Sequence, residues 1–228
     1  MKTSIIILEW NTLKLLKQCV KSVKKYTKDY ELILIDNAST ENGTKNYILK
    51  VAEKYIFNEI NLGFAKGCNQ GAAIASGEYL CFLNSDVTVG KNWLSAMIQT
   101  FEQNKTCGAV GALGNPKSTV LNGQIIFFNQ FRHQYKVDTQ VQNIMGFCML
   151  IKREIFNQIK FQEIFEFGMY EDNVLSQNLI NKGYTIWISA KAKVYHLNPG
   201  SSFSANNLNY LEILEKNRRI YYAQRKNN

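Results

Sequence analysis

Residues 78–90 read EYLCFLNSDVTVG, and the break inside this stretch decides how the chain is understood. An apolar run, Tyr79 to Leu83, passes abruptly into Asn84-Ser85-Asp86, so a buried strand is expected to end by presenting a carboxylate at its tip. Open α/β sheets bind their ligands at that end of the strands. A carboxylate there suits a divalent cation held against phosphate oxygens, because hard cations take oxygen ligands and often bind through few carboxylates plus substrate phosphates. Taken alone, the tripeptide is better explained as a turn with a solvated aspartate, since Asn, Ser and Asp are ordinary turn formers. Its neighbours decide between the two.

On the N-terminal side, Ser4 to Leu8 reads as a strand and Asn11-Thr12 as the cap of a helix with Leu13, Leu16, Cys19, Val20 and Val23 at helical spacing. A second strand, Glu31 to Ile35, ends in Asp36-Asn37. A helix pattern through Tyr47, Ile48, Val51 and Ala52 leads to a short strand at Tyr55 to Phe57. Strand and helix alternation implies a parallel sheet with right-handed crossovers, which opens Glu9-Trp10-Asn11, Asp36-Asn37 and Asp86 on one sheet edge. Between them, Gly63, Gly67 and Gly71 recur at every fourth position. That gives a helix one smooth face, for close packing on the sheet or for a ligand to approach its backbone. Neither a G-x-G-x-x-G fingerprint nor a G-x-x-x-x-G-K-[ST] loop is present.

On the C-terminal side, Lys91 to Gln103 is an amphipathic helix in which Trp93 is a core residue, and Gly108 to Leu113 is a strand. From Gly114 the pattern changes to turn residues and hairpin strands, Gln124 to Phe128 and Phe131 to Val137, with His133 on the surface; a mixed sheet is expected here. Gly146 to Ile151 is a buried strand followed by a basic turn at Lys152-Arg153. Gly168-Met169-Tyr170-Glu171-Asp172 opens a helix running to about Lys182, where first-turn carboxylates also serve simply to match the helix dipole. A strand from Thr185 to Leu197 carries His196, a loop follows from Asn198 to Ser202, and a last helix spans about Asn207 to Gln224.

With 228 residues, 46% hydrophobic and 20% charged, one soluble domain is expected. Glu9 interrupts the N-terminal apolar run too early for a secretory signal or a membrane span. Five scattered cysteines without a C-x-x-C pair argue against a zinc ribbon or a disulfide framework and fit a reducing cytoplasm. The net charge of +9 is mostly spread, so nucleic acid is not expected as a partner. The basic tail, with Lys216, Arg218, Arg219, Arg225 and Lys226, offers a peripheral contact to an anionic membrane surface.

Taken in order, IIILEWN, LILIDNAST, NLGFAKGCNQG, GEYLCFLNSDV, GFCMLIKREIF, GMYEDNVL and VYHLNPGSS resemble the family 2 glycosyltransferases of the GT-A fold, of the small bacterial rhamnosyltransferase-like type. The resemblance covers nearly the whole chain. It implies an α/β fold with a Rossmann-like mixed central sheet flanked by helices, in one domain over residues 1–228. Residues 1–113 would be the nucleotide-sugar half, 114–205 the acceptor and catalytic half, and 206–228 a basic helix. It also implies an inverting, metal-dependent transfer of one sugar from a UDP-, dTDP- or GDP-linked donor to a glycan, lipid-linked or protein acceptor in cell-surface polysaccharide synthesis.

By that resemblance Trp10 would stack on the base and Asp36 accept from a base N–H, with Glu9 and Asn37 beside them. Lys66 and Asn69 would contact the base or ribose. Asn84-Ser85-Asp86 stands in place of the family's D-x-D, so Asn84 would meet the ribose, with Ser85 alongside, and Asp86 would ligate Mn²⁺ or Mg²⁺ together with His196. Glu171-Asp172 matches the family's E-D pair, with Asp172 as the base. Val174 and Asn178 replace the aspartate and arginine usual after that pair, and residues 159–167 lack the usual Gly-Gly-Phe-Asp pattern; both departures lie on the acceptor side. The absence of Q-x-x-R-W argues against a processive polymer synthase. The rival readings are a sugar-phosphate nucleotidyltransferase, whose Gly-rich N-terminal triphosphate loop is missing, and a non-catalytic nucleotide-sugar or nucleic-acid binding protein.

Overall fold

In the computed structural model, residues 2–114, 118–121, 124–127, 135–197 and 201–226 are described. The first half builds as its periodicity predicts. Strands β1 (Thr3–Glu9), β2 (Tyr30–Asp36), β3 (Lys54–Phe57) and β4 (Tyr79–Leu83) pair in parallel in the order β3-β2-β1-β4. Their crossovers are α1 (Leu13–Tyr26), α2 (Thr44–Val51) and α3 (Gly63–Ile74). Ile5, Ile7, Leu32, Leu34 and Phe82 are wholly buried, as expected of central strands covered on both faces. Of the two uses open to the α3 glycines, close packing on the sheet is the one seen. A Cβ on Gly67 would sit 2.4 Å from Leu8 Cδ1, and one on Gly71 2.5 Å from Ile6 Cγ2.

The sheet continues without a break past residue 113. β10 (Cys148–Lys152) lies antiparallel between β4 and β6 (Cys107–Leu113), and β11 (Thr185–His196) pairs in parallel with β6. Three short strands escaped the sequence reading. β5 (Val87–Val89) and β9 (Thr139–Val141) each pair antiparallel with β11, and β7 (Ser118–Leu121) pairs with β8 (Gln124–Phe127). β8 pairs with the preceding segment, for which the Asn122-Gly123 dipeptide between β7 and β8 is the sequence signal, while most of the strand expected to follow it, Phe131 to Val137, falls outside the described residues. Residues 131–134, including His133, and 198–200 lie outside the described residues, and 135–137 form no strand.

Helix α4 (Trp93–Gln103) buries Trp93 completely, with its indole N–H donating to Thr27. The expected turn at Lys152-Arg153 is the start of a helix, α5 (Arg153–Ile159), which buries Ile155 and Phe156. α6 (Glu171–Asn181) follows, and residues 201–202, read as loop, open the short helix α7 (Ser201–Ala205) before α8 (Tyr210–Lys226). Among the described residues no helix is long and apolar enough to cross a membrane.

Thr12 does begin α1, but its side chain is not the cap. The open N–H groups of that first turn are met by carboxylates from elsewhere: Thr12 N donates to Glu9 Oε1 at 2.5 Å and Leu13 N to Glu41 Oε2 at 2.8 Å. Glu31 works similarly at the opposite end of the sheet. Burial opposes its ionisation, yet bonds from Ser4, Ser76 and Lys54 outweigh that and hold its carboxyl down to about 2.

Candidate active site

At the carboxyl ends of β1, β2 and β4 the chain leaves a cavity of about 210 Å³. The strand-to-turn break at Leu83 delivers Asn84, Ser85 and Asp86 to its wall, with Asn84 N donating to Phe147 O at 2.9 Å. Asp86 is joined to His196, 110 positions later in sequence, by backbone pairing. β5 begins at the next residue and zips antiparallel to the end of β11, His196 stands opposite Val87, and Leu197 N donates to Asp86 O at 2.8 Å. His196 Nε2 consequently lies 3.0 Å from Asp86 Oδ1. The Phe147 ring stacks on the His196 ring at 5.1 Å between centroids and fixes its plane.

One aspartate oxygen and one imidazole nitrogen at that separation fit a single divalent cation. Adjacent ligands of an octahedral ion with bonds of about 2.1 Å stand about 3 Å apart. Among the described residues no group of three or more His, Cys, Asp or Glu could hold a metal, so two protein ligands leave the remaining positions to substrate oxygens and water. An anionic oxygen donor is the expected complement.

On the same cavity wall, the first turn of α6 presents Glu171 and Asp172. Asp172 Oδ2 accepts from Gly146 N at 2.9 Å and Oδ1 from Asn173 N at 2.8 Å, which fixes the carboxylate and leaves lone pairs for a ligand. Burial raises the Asp172 carboxyl against the pull of those N–H bonds. Burial, and next the charge of Asp172, push Glu171 up as well, and Glu171 Oε2 is buried without a hydrogen-bond partner. Two adjacent carboxyls in one wall do not both ionise freely, so this wall can hold and release a proton.

The chain reaches α6 through an uncommon backbone. Phe167, Gly168, Met169 and Tyr170 all have positive φ, at 58°, 149°, 77° and 73°. Three non-glycine residues in that region cost roughly 1–2 kcal/mol each, so the surroundings must impose it. The wholly buried Asn217 of α8 does so: Glu166 N donates to its Oδ1 at 3.1 Å, and its Nδ2 donates to Glu166 O at 2.9 Å and Gly168 O at 2.6 Å. Phe64 N adds a bond to Phe167 O at 3.0 Å.

Of the sequence-predicted residues, Trp10, Asn37, Asn84, Ser85, Asp86, Glu171, Asp172 and His196 line this one cavity, and Glu9, Asp36, Lys66 and Asn69 do not. Trp10 stacks on Phe167. Asn37 is spent on the turn into α3, accepting from Leu62 N and Asn58 and donating to Asn61. Asp36 is wholly buried, its Oδ1 accepting from Ser39 N and its Oδ2 without a hydrogen-bond partner. Asn69 clamps Phe161 through both its N–H and C=O and also donates to Glu163, while Lys66 is exposed on α3. Glu9 does not face outward. It is wholly buried under Thr12, whose hydroxyl bridges it to Ser85, each step 2.9 Å. The sequence reading missed the aromatic part of the wall, Phe64, Phe147, Phe167, Phe203 and Tyr210, because isolated aromatics read as core.

Residues 4–160 match the family model described as Glycosyl transferase family 2. The chain is 25% identical over 179 residues to "Glycosyltransferase GlyG" of Streptococcus pneumoniae serotype 4, covering 69% of this chain and 59% of that protein. It is 27% identical over 210 residues to "Poly(ribitol-phosphate) beta-glucosyltransferase" of Bacillus spizizenii, covering 86% and 32%. The chain thus spans 59% and 32% of the length of these two relatives. In fold it is similar to the crystal structure of GalNAc-T7 with UDP, GalNAc and Mn2+, with a TM-score of 0.70 at 18% identity over 86% of this chain and 44% of that one.

Proposed function

The chain belongs to glycosyl transferase family 2, and from that premise we propose that it moves one sugar from a nucleotide-diphosphate donor to an acceptor hydroxyl by a single inverting displacement. The carrying observation is that one cavity holds both Asp86 and His196, 3.0 Å apart as two ligands of one cation would be, and a fixed carboxylate, Asp172. Those are the two functions such a transfer needs. The leaving group is a diphosphate that departs as a stable anion, so no general acid is required; only the attacking hydroxyl has a proton to lose.

Asp86 and His196 would hold Mn²⁺ or Mg²⁺, which when bound supplies positive charge to the donor's diphosphate. Trp10 and Asp36 would receive the base, UDP-, dTDP- or GDP-linked, and Asn84 the ribose; the complete burial of Asp36 means that the wall above it must open first. Asp172 accepts the acceptor's proton as that oxygen bonds to the anomeric carbon, and the electron pair of the broken C–O bond leaves with the diphosphate. Its raised affinity for protons makes it a stronger base, at the cost of needing a pH high enough to be ionised. One displacement inverts the anomeric centre, unlike the two-carboxylate retaining route. The acceptor is a glycan, a lipid-linked glycan or a protein.

The test is turnover of nucleotide sugars with Mn²⁺ by the wild type, Asp86→Ala and Asp172→Asn. Loss of a positioned base is expected to cost roughly 10²- to 10⁴-fold in rate. Equal activity in all three proteins would remove the site assignment.

A further inference from the structure

Away from the cavity, on the far stretch of β11, a groove of about 610 Å³ is lined by four lysines, Lys91, Lys136, Lys191 and Lys193, with Ser95 and Gln99 between them. The lysines come from three places in the chain: the turn before α4, the segment before β9, and β11. All four are exposed, and none forms an ion pair among the described residues. The carboxylate bonded to the groove's floor, Asp138, is turned to Ala190 N at 2.9 Å and the Thr100 hydroxyl at 2.6 Å. Four lysines beside the single carboxylate of Asp138 leave a net positive field that an anion relieves.

The groove also has a direction. Along β11, Lys191, Lys193 and Tyr195 are exposed while Ala192 and Val194 are buried, so the three share the outer face of the strand. At about 3.3 Å per residue, Lys193 lies roughly 10 Å from His196, where the strand enters the active cavity, and Lys191 lies further back, in the irregular stretch between Ser189 and Lys193. A single phosphate reaches one of these positions; only an extended molecule reaches the groove and the cavity together.

We infer that this groove seats an anionic, phosphodiester-linked stretch of a polymeric acceptor whose reacting hydroxyl lies in the cavity. The inference rests on the glycosyltransferase reading and narrows its acceptor class. The lining favours such a polymer over the other polyanions. Among the described residues no aromatic side chain lines the groove, whereas single-stranded nucleic acids are gripped largely by stacking their bases on aromatic rings. Nor, among the described residues, does a large apolar side chain line it, and a membrane-seated surface needs apolar groups to enter the lipid.

The experiment measures binding of fluorescently labelled long-chain inorganic polyphosphate to the full chain between about 50 and 300 mM salt, with calorimetric binding of UDP, GDP and dTDP in the presence of Mn²⁺ measured on separate aliquots of the same proteins. Four lysine contacts to a flexible polyanion predict that log K falls against log salt with a slope of roughly −3. The triple variants K136E/K191E/K193E and K136Q/K191Q/K193Q are expected to lose at least tenfold in polyphosphate affinity with nucleotide binding unchanged. A charge-matched control on α1, K21E/K24E/K25E, is expected to keep its affinity. The inference is overturned if the groove variants bind as the wild type does, if the control loses as much, or if oligo-dT or phosphatidylglycerol vesicles bind the wild type more tightly than polyphosphate in a groove-dependent way. Failure of the wild type to bind any nucleotide would instead remove the glycosyltransferase reading, whatever the polyphosphate result.

Discussion

Trp10 and Phe167 are stacked in an offset arrangement, their ring centroids 5.6 Å apart and their planes 9° from parallel. The indole proposed to receive a nucleotide base is therefore already partly covered by a side chain of the same protein. A base that stacks fully on that face of Trp10 has to displace Phe167. Aromatic pairs of this kind are worth about 0.5–1.5 kcal/mol beyond the area they bury. Phe167→Ala is thus expected to tighten nucleotide binding by roughly 2- to 10-fold, and Trp10→Ala to weaken it. Titration calorimetry with UDP, GDP and dTDP decides the point; weaker binding in Phe167→Ala would mean that the ring supports the pocket instead of competing for it.

The Asp86–His196 pair makes a separate prediction about metal. Chelation of divalent ions is expected to abolish transfer, and Mn²⁺ or Mg²⁺ to restore it. His196→Ala, which leaves Asp86 as the one protein ligand of the pair, is expected to raise the metal concentration needed for half-maximal rate by about 10-fold or more. Rates followed against added Mn²⁺ give that midpoint directly. An unchanged midpoint would take His196 out of the metal's coordination.

How far this site was readable from sequence follows the range of the interactions that build it. Asp86 and Asp172 were legible because each sits at the boundary of a local pattern, the end of an apolar strand in one case and the start of a helical period in the other, and such patterns report burial within a few residues. The parallel half of the sheet was legible for the same reason. The contact of Asp86 with His196 is made by β5, whose three residues are too few to show a period. Asn217 stood unnoticed within LEKNRR, a run that reads as a charged solvent face, because its partners are backbone groups about fifty positions earlier. The burial of Glu9 was not legible because a carboxylate beside an apolar strand gives no sign that Thr12, three residues on, will receive it.

Asn217 offers the sharpest structural test. Replacing it with Ala leaves Glu166 N, Glu166 O and Gly168 O without the partner that holds four positive-φ residues in place. Buried backbone groups stripped of partners cost about 1–3 kcal/mol each, partly recovered by relaxation, so a loss of roughly 2–4 kcal/mol is expected. For a chain of this size that lowers Tm by about 5–15 °C. Because the same segment carries Phe167 and leads into Asp172, kcat is expected to fall even at temperatures where the variant stays folded. A variant with wild-type Tm would show that the segment holds its conformation without the clamp.

Glu9 gives the pH dependence. Burial, against the bonds from Thr12, moves its carboxyl from 4.5 to about 7. Between those two values the folded chain keeps a proton that the unfolded chain releases, so stability falls as pH rises through the window, and the full cost is present above about pH 7. That cost is about 3 kcal/mol for a group this deeply buried. Glu9→Gln removes the ionisation and keeps an acceptor for Thr12 N, while its amide N–H meets a Thr12 hydroxyl free to donate onward to Ser85. The variant is therefore expected to match the wild type near pH 4.5 and to exceed it by about 1–3 kcal/mol at pH 8. Urea unfolding at the two pH values reads the difference, and comparing the two proteins cancels every other titrating group. A variant less stable than the wild type at pH 8 would mean that the ionised carboxylate, capping α1, is worth more than its burial costs.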